Sequence, residues 1–305
     1  MNRWLSAFRL RTLPLAVSSI LVGSALAHEI SLYRACGPAW RDITLLALLT
    51  AVLLQILSNL ANDLGDHQHG TDNPDRVGPQ RAVQSGAIAP EAMKRAMLVC
   101  AVLAFMSGCT LIVTALGFST TTLAFLFIGL SAIVAAVKYT FGKNPYGYAG
   151  LGDISVFLFF GIVGVIGTYF LHVGDTYYFD PKHLLPAIGF GLLSAGVLNL
   201  NNMRDITNDS ASGKNTLVVR MGSANARAYH AFLILGGITS LIAFTLITDP
   251  EPLRWIFLPA VALLLAHLVR VWRTTEPLDL DPQLKTLALG TFFTAVLFSL
   301  GVILA

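Results

Sequence analysis

The stretch Gln55-Ile56-Leu57-Ser58-Asn59-Leu60-Ala61-Asn62-Asp63-Leu64-Gly65-Asp66 decides how this chain folds. It leaves an uncharged, largely apolar run that starts at Ile43 and ends in amides and carboxylates. Asn59, Asn62, Asp63 and Asp66 fall at i, i+3, i+4 and i+7, so a helix that continues through them presents all four on one face. The preceding run has the length of a bilayer-crossing helix. Carboxylates beside hydrocarbon are expensive unless they pair with cations or line a wet cavity.

A second stretch repeats the pattern. Asn199-Leu200-Asn201-Asn202-Met203-Arg204-Asp205-Ile206-Thr207-Asn208-Asp209 also leaves an apolar run, and Asn201, Asn202, Asp205, Asn208 and Asp209 share a face if its helix continues. Each stripe has an Asn-x-x-x-Asp core, Asn59/Asp63 and Asn201/Asp205, followed by a glycine (Gly70 or Gly213) and basic residues. One Asn/Asp-rich helix end is most often a solvated terminus. Two with the same core, on the same side of a membrane, point to a shared site. Carboxylate and amide oxygens, with no thiolate or histidine in the stripes, form a hard-oxygen set suited to Mg²⁺, which is commonly held by one or two carboxylates plus substrate phosphates. The simplest ligand common to two facing clusters is a diphosphate bridged by Mg²⁺, with loop cations neutralising the remaining phosphate charge.

The rest of the chain supplies the membrane. Its 305 residues are 55% apolar and 12% charged, with a mean hydropathy of +0.68; an ordinary globular domain carries about twice that charge fraction. A net charge of +3 is too small to imply a nucleic-acid partner. Cys36, Cys100 and Cys109 read as small buried hydrophobes, not as a disulfide framework or a zinc site. Nine runs are predicted to span the bilayer: about Thr12–His28, Ile43–Leu60, Arg95–Leu116, Ser119–Tyr139, Gly152–Leu171, Leu184–Asn202, Ala228–Thr248, Leu253–Val271 and Leu284–Leu304. No small-residue cleavage site follows the first, which is read as a permanent span. With a cytoplasmic N-terminus, only Arg34, Arg41, Lys182 and Arg254 fall outside, leaving sixteen of the twenty Lys and Arg inside. The expected fold is all-α: nine transmembrane helices around a central cavity, one domain over 1–305, with the long inner connections 61–94 and 203–227 as cytoplasmic cap loops. His67 and His69 have no third nitrogen or sulfur ligand within reach, which argues against zinc. His230 and His267 read as structural.

These residues resemble the UbiA superfamily of intramembrane prenyltransferases. Asn62-Asp63-x-x-Asp66 and Asp205-x-x-x-Asp209 are similar to its paired aspartate motifs, and the likeness runs through nearly the whole chain. Several segments narrow it to the branch that prenylates 1,4-dihydroxy-2-naphthoate: Asn59–Asp66, Gly70-Thr71-Asp72, Arg76–Gly86, Gly213–Arg220, Pro145–Tyr148, Gly150–Asp153 and Arg9–Leu15. A third aspartate at the family spacing would stand at position 70, where this chain has Gly70; Asp72 follows two residues later, and its role as a metal ligand is open at this stage.

The resemblance implies an alkyl transfer in menaquinone biosynthesis. A polyprenyl diphosphate lies with its tail between helices, Mg²⁺ on Asp63, Asp66, Asp205 and Asp209 stabilises the leaving diphosphate, and the electron-rich ring attacks the allylic cation with loss of CO₂, giving demethylmenaquinol. It places the chain in a bacterial cytoplasmic (inner) membrane with the site facing the cytoplasm. Arg81, Lys214 and Arg220 are expected on the diphosphate, and Asn59, Asn62, Gln84, Tyr148 and Asn201 on the substrates. Lys138, Tyr139 and Lys143 stand where the fourth span meets the inner face, Tyr139 offering its ring to the cation. Asp153 is expected to orient the arene or a lysine, and Arg9 to hold the naphthoate carboxylate. The alternatives are a prenyltransferase of the same fold with a 4-hydroxybenzoate, homogentisate or haem acceptor, and a cation-coupled transporter whose stripes form an ion site. Stripes at helix ends rather than mid-bilayer, followed by long basic loops, favour the enzyme.

Overall fold

The computed structural model describes residues 3–31, 39–74, 76–174, 179–248 and 251–305; Arg34 and Cys36 lie outside the described residues. Among these, nine helices are long and apolar enough to cross a membrane: Arg3–His28, Ala39–Gln68, Pro90–Leu116, Thr120–Lys138, Gly152–Val173, Pro181–Arg204, Leu217–Ile247, Pro252–Arg273 and Pro277–Leu304. They are called spans one to nine below. All nine match predicted spans, and several run further at the polar end. The second continues to Gln68, so Ala61–Gln68 is helix, not loop. Hydropathy alone stops at Leu60, but tertiary partners bury the helix end and keep it wound. In the region expected to be the second cap loop, a short helix, Ile206–Ala211, intervenes and the seventh span already starts at Leu217.

Apart from the fourth and fifth, sequence neighbours pack side by side, and the ninth span packs on the first, so the helices form a ring. The sixth lies against the fifth, seventh and ninth and carries much of the core, including Phe190, Leu193 and Leu200. The fourth and fifth spans barely touch, which leaves the weakest seam of the ring. Large apolar side chains such as Leu98, Met106, Leu123 and Phe127 stay exposed around the outside, as a lipid-facing surface requires. Free Cys100 is buried and Cys109 half-buried.

Helix contacts in lipid rely on close packing of small residues. The fifth span is wound wide, as π-helix, over Phe157–Gly167. The Ser19 hydroxyl of the first span donates to the Phe160 carbonyl at 2.6 Å. A Cβ on Gly161 would lie 2.5 Å from the Ala187 carbonyl oxygen and 2.9 Å from the Gly191 Cα, so two glycines make the crossing with the sixth span.

A buried polar chain ties spans six to nine. The Asn199 amide nitrogen lies 3.3 Å from His230 Nδ1, His230 Nε2 lies 3.1 Å from His267 Nε2, and His267 Nδ1 lies 3.2 Å from Gln283 Oε1. An amide NH₂ only donates, so His230 Nδ1 accepts, its Nε2–H donates to His267 Nε2, and His267 Nδ1–H donates to Gln283. Both histidines are satisfied and neutral in this arrangement, as their structural reading expects. The Gly161 crossing is testable: Gly161→Ala forces the fifth and sixth spans apart and is expected to lower stability by about 1–3 kcal/mol, read as a lower thermal midpoint of the detergent-solubilised protein.

Candidate active site

Asn59, Asn62, Asp63 and Asp66 are all buried at the end of the second span. They stand where the chain reverses at Gly70, whose φ of +73° is the left-handed geometry that glycine allows. The Thr71 and Asp72 amides both donate to the Asp66 carbonyl, at 2.9 and 3.2 Å. That turn carries Asp72 back over the helix end and places it in the site despite the departure at position 70.

The returning loop is pinned by Asp63. Its two carboxylate oxygens accept the Ala82 and Val83 amides, each at 3.1 Å. The anchor aims Arg81 inward, to Asp66 at 2.7 Å, Asp72 at 3.2 Å and the Asn62 carbonyl at 2.9 Å. Gln84 braces the loop from behind, accepting the Arg81 amide at 3.1 Å and donating to the Asn73 carbonyl at 2.9 Å.

The second stripe arrives from the sixth span. Its helix breaks at Asp205 (φ −95°, ψ 8°), yet the Asp209 amide still donates to the Asp205 carbonyl at 2.8 Å, so both aspartates stay in helical register. Arg204, 1% exposed, holds Asp205 from two nitrogens, at 2.9 and 2.7 Å. Gly213 turns the chain with φ +71°, and Lys214 then sits between the stripes, 3.7 Å from Asp66 and 3.6 Å from Asp209. Arg76 makes a second bridge, 3.2 Å from Asp72 and 3.9 Å from Asp205. The Asn208 amide donates to the Thr71 carbonyl at 2.8 Å and closes the junction. Tyr148 completes it: its hydroxyl donates to Asp66 at 2.8 Å and lies 2.6 Å from the Thr71 hydroxyl.

Burial and charge compete here. Burial lifts the Asp209 carboxyl to about 6, with Lys214 pulling the other way. It also raises Asp72 despite Arg81. Asp205 feels the same burial but is held below the ordinary carboxylate range by the hydrogen bonds and charge of Arg204. Burial pulls the Lys214 pKa down; Asp66 and Asp209 outweigh it and raise it. Burial, reinforced by Asp153, keeps the Tyr139 phenol neutral.

Beneath this cluster lies a cavity of about 650 Å³. Its polar end is lined by Arg9, Arg81, Lys214, Asn59, Asn62, Asn201 and Asn202, its apolar limb by residues such as Phe125, Ile128, Phe159, Phe160 and Leu171. Tyr139 and Tyr146 line it edge to face, with centroids 5.5 Å apart. The cations therefore face the cavity and the carboxylates stand behind them. Arg9, with a left-handed φ of 49°, donates to the Asn62 side-chain oxygen at 2.8 Å and, among the described residues, forms no ion pair. Among the described residues, no three His, Cys, Asp or Glu side chains gather at metal-binding distance. The donors still fit a hard cation: all are oxygens, and Asp72 Oδ2 and Asp209 Oδ2 are buried without a hydrogen-bond partner.

Other expected residues lie elsewhere. The Lys138 ammonium closes a tight turn on the Lys143 carbonyl at 2.8 Å, and both side chains are exposed. Arg220, also exposed, donates to the Ala149 carbonyl at 2.9 Å. Asp153 is buried against the Tyr229 hydroxyl. The Asn59 amide braces the first span through the Phe8 carbonyl at 2.9 Å and Thr12 at 3.0 Å. Arg76 and Arg204, whose loop and stripe positions left their role open between substrate contact and topology charge, and Asp72, whose role was also open, are built into the junction together with Thr71, which was not expected. Gly78 is also part of it: a Cβ there would meet the guanidinium nitrogens of Arg204 and Arg76 at 2.7 and 2.9 Å.

The sequence profile of the UbiA prenyltransferase family matches residues 16–297. The chain belongs to that family. Two UbiA-family relatives are similar over almost their whole length. A 1,4-dihydroxy-2-naphthoate octaprenyltransferase of Escherichia coli (strain K12) is 44% identical over 99% of this chain and 95% of its own. The enzyme of that name from Haemophilus influenzae is 42% identical over 100% of this chain and 96% of its own. Among solved structures, a UbiA homolog from Archaeoglobus fulgidus bound to DMAPP and Mg²⁺ superposes with a TM-score of 0.59 at 15% identity, covering 97% of this chain and 99% of that one, and so shares the UbiA fold.

The buried Asp209 gives this UbiA site a pH signature in metal-free buffer. Its folded-state pKa, raised to about 6, lies above its unfolded value. Its contribution is therefore fully present below the unfolded pKa and is lost as pH rises toward about 6. The difference in thermal midpoint between wild type and Asp209→Asn, measured in EDTA, is expected to change across that window and to be flat above it.

Proposed function

We propose that this protein transfers a polyprenyl group from a polyprenyl diphosphate to 1,4-dihydroxy-2-naphthoate, with loss of CO₂, giving demethylmenaquinol. The observation that carries this reading is the position of Arg81 and Lys214 at the polar end of an apolar cavity, each backed by buried carboxylates. An apolar limb ending in cations suits an isoprenoid tail with a diphosphate head. The high identity to naphthoate octaprenyltransferases supports the naphthoate as acceptor.

In this reading Arg81 and Lys214 bind the diphosphate and take up the charge that develops on it. Mg²⁺, when bound by the expected Asp66, Asp205 and Asp209 and by Asp72 in place of the expected Asp63, whose two oxygens already accept the Ala82 and Val83 amides, would supply further neutralisation of the leaving group; the Archaeoglobus neighbour carries that ion with DMAPP. The allylic C–O bond breaks and its electron pair leaves with the diphosphate. Tyr139 and Tyr146 line the wall where an allylic cation would form, and neutral aromatic faces stabilise it. The apolar side chains of the limb keep water from it. A ring carbon of the acceptor supplies electrons for the new C–C bond; the bond to the carboxylate then breaks, its electrons restore the aromatic ring, and CO₂ leaves. No general base is required. Arg9, at the cavity without an acidic partner, holds the acceptor carboxylate until that step.

The positive-inside bias supports a cytoplasmic N-terminus, and so a site facing the cytoplasm of a bacterial inner membrane. The whole chain is read as one domain, with the turns after Gln68 and Arg204 capping the site.

Purified protein offered several aromatic acids with one polyprenyl diphosphate is expected to prenylate the naphthoate, with a decarboxylated product by mass spectrometry. Preference for 4-hydroxybenzoate, or a product that keeps its carboxylate, would contradict the reading. EDTA is expected to abolish turnover and Mg²⁺ to restore it. Arg9→Gln is expected to raise the KM for the aromatic acid about 10- to 100-fold, with the KM for the diphosphate nearly unchanged.

A further inference from the structure

Arg204 is a fully buried cation between two carboxylates. It grips Asp205 from two nitrogens, and one of these also reaches the Asn201 side-chain oxygen at 3.1 Å. Its remaining terminal nitrogen donates to Asp281, 77 positions along the chain, in the first turn of the last helix. Asp281 has a second, looser cation in Arg11 at 3.8 Å. Gly78 packs so closely on the guanidinium that even a Cβ would not fit, so Arg204 has no path toward solvent past this loop.

This arrangement sets a problem for any cation that binds Asp205. The Asp205 carboxylate is already neutralised by Arg204, and taking it away would leave a guanidinium buried without a counter-ion, which is strongly unfavourable. Asp281 removes the problem. It already touches Arg204, it is partly exposed, and its hold on Arg11 is weak.

We propose that Asp281 is a positioning residue, a counter-ion in reserve that keeps Arg204 neutralised while Asp205 turns to a divalent cation. The inference rests on the prenyltransferase reading of the site and adds to it a residue of the last span that touches neither substrate nor metal. Without Asp281, Arg204 has only Asp205, and the divalent cation must compete for it. Asp281 therefore sets how readily the site takes metal. Partners behind a ligand commonly tune metal affinity by 10- to 100-fold.

The test is Mn²⁺ binding to the full-length protein in detergent, read by electron paramagnetic resonance with inorganic pyrophosphate present. Asp281→Asn is expected to weaken Mn²⁺ binding about tenfold and to raise the Mg²⁺ half-saturation of turnover in parallel. Asp281→Ser, which keeps a hydrogen-bonding oxygen in the first helical turn, is expected to do the same and serves if the asparagine variant does not fold. Adding Arg204→Gln to Asp281→Asn removes the competing cation and is expected to recover most of the lost affinity, a non-additivity that general loosening of the fold would not give. Wild-type Mn²⁺ affinity in the folded single variants, or a double variant as weak as the single, would overturn the proposal. Wild-type protein that binds no Mn²⁺ with pyrophosphate would instead overturn the reading of the site on which it rests.

Discussion

The structure depends on keeping five buried carboxylates and their cations neutral together at the edge of a hydrocarbon layer. An isolated charge there is costly, and breaking one partner from a buried pair leaves an uncompensated charge that costs about 3–5 kcal/mol. Asp66 shares Arg81 and Lys214, Asp72 shares Arg81 and Arg76, Asp205 shares Arg204 and Arg76, and Asp209 leans on Lys214. Asp63 is satisfied instead by two loop amides. Because the cations are shared, no carboxylate can leave without disturbing its neighbours, and the two helix ends are bound into one unit.

That unit explains local features that otherwise look unrelated. The second helix winds on past the apolar run because its polar end is buried in the cluster. Gly65 is needed because a Cβ there would strike the Thr140 carbonyl oxygen at 2.5 Å, where the connection carrying Tyr139 and Tyr148 closes over the helix. The cavity meets the cluster from its cationic side, so a diphosphate encounters Arg81 and Lys214 before any carboxylate repels it. In the proposed reaction, ligand binding would be an exchange of partners, with cations turning from carboxylates to phosphate and freeing acidic oxygens for a divalent ion.

Much of this was legible in the sequence where it followed helical period. Asn59, Asn62, Asp63 and Asp66 could be placed on one face from spacing alone, and Asp205 and Asp209 keep their register across a break. Where side chains point beyond a helix end was not legible. Lys138, Lys143 and Arg220 carry the right charge at the right end of the bundle, yet Lys138 and Arg220 are spent on the Lys143 and Ala149 carbonyls and the Lys143 side chain is exposed. Asp72 looked displaced by Gly70, but the same glycine lets the chain double back and return it. Gln84 and Asp63 proved to shape the loop that aims Arg81. Arg204 and Asp281 are far apart in sequence and meet only because the ninth span packs against the sixth, which no local pattern encodes.

On the proposed function, both aspartate stripes serve one cation–diphosphate centre. Anomalous diffraction from crystals grown with Mn²⁺ and a short prenyl diphosphate tests it most directly. Anomalous density is expected between Asp66 and Asp72 on one side and Asp205 and Asp209 on the other, with the diphosphate against Arg81 and Lys214. Metal bound to one stripe alone, or a diphosphate seated away from these cations, would contradict it.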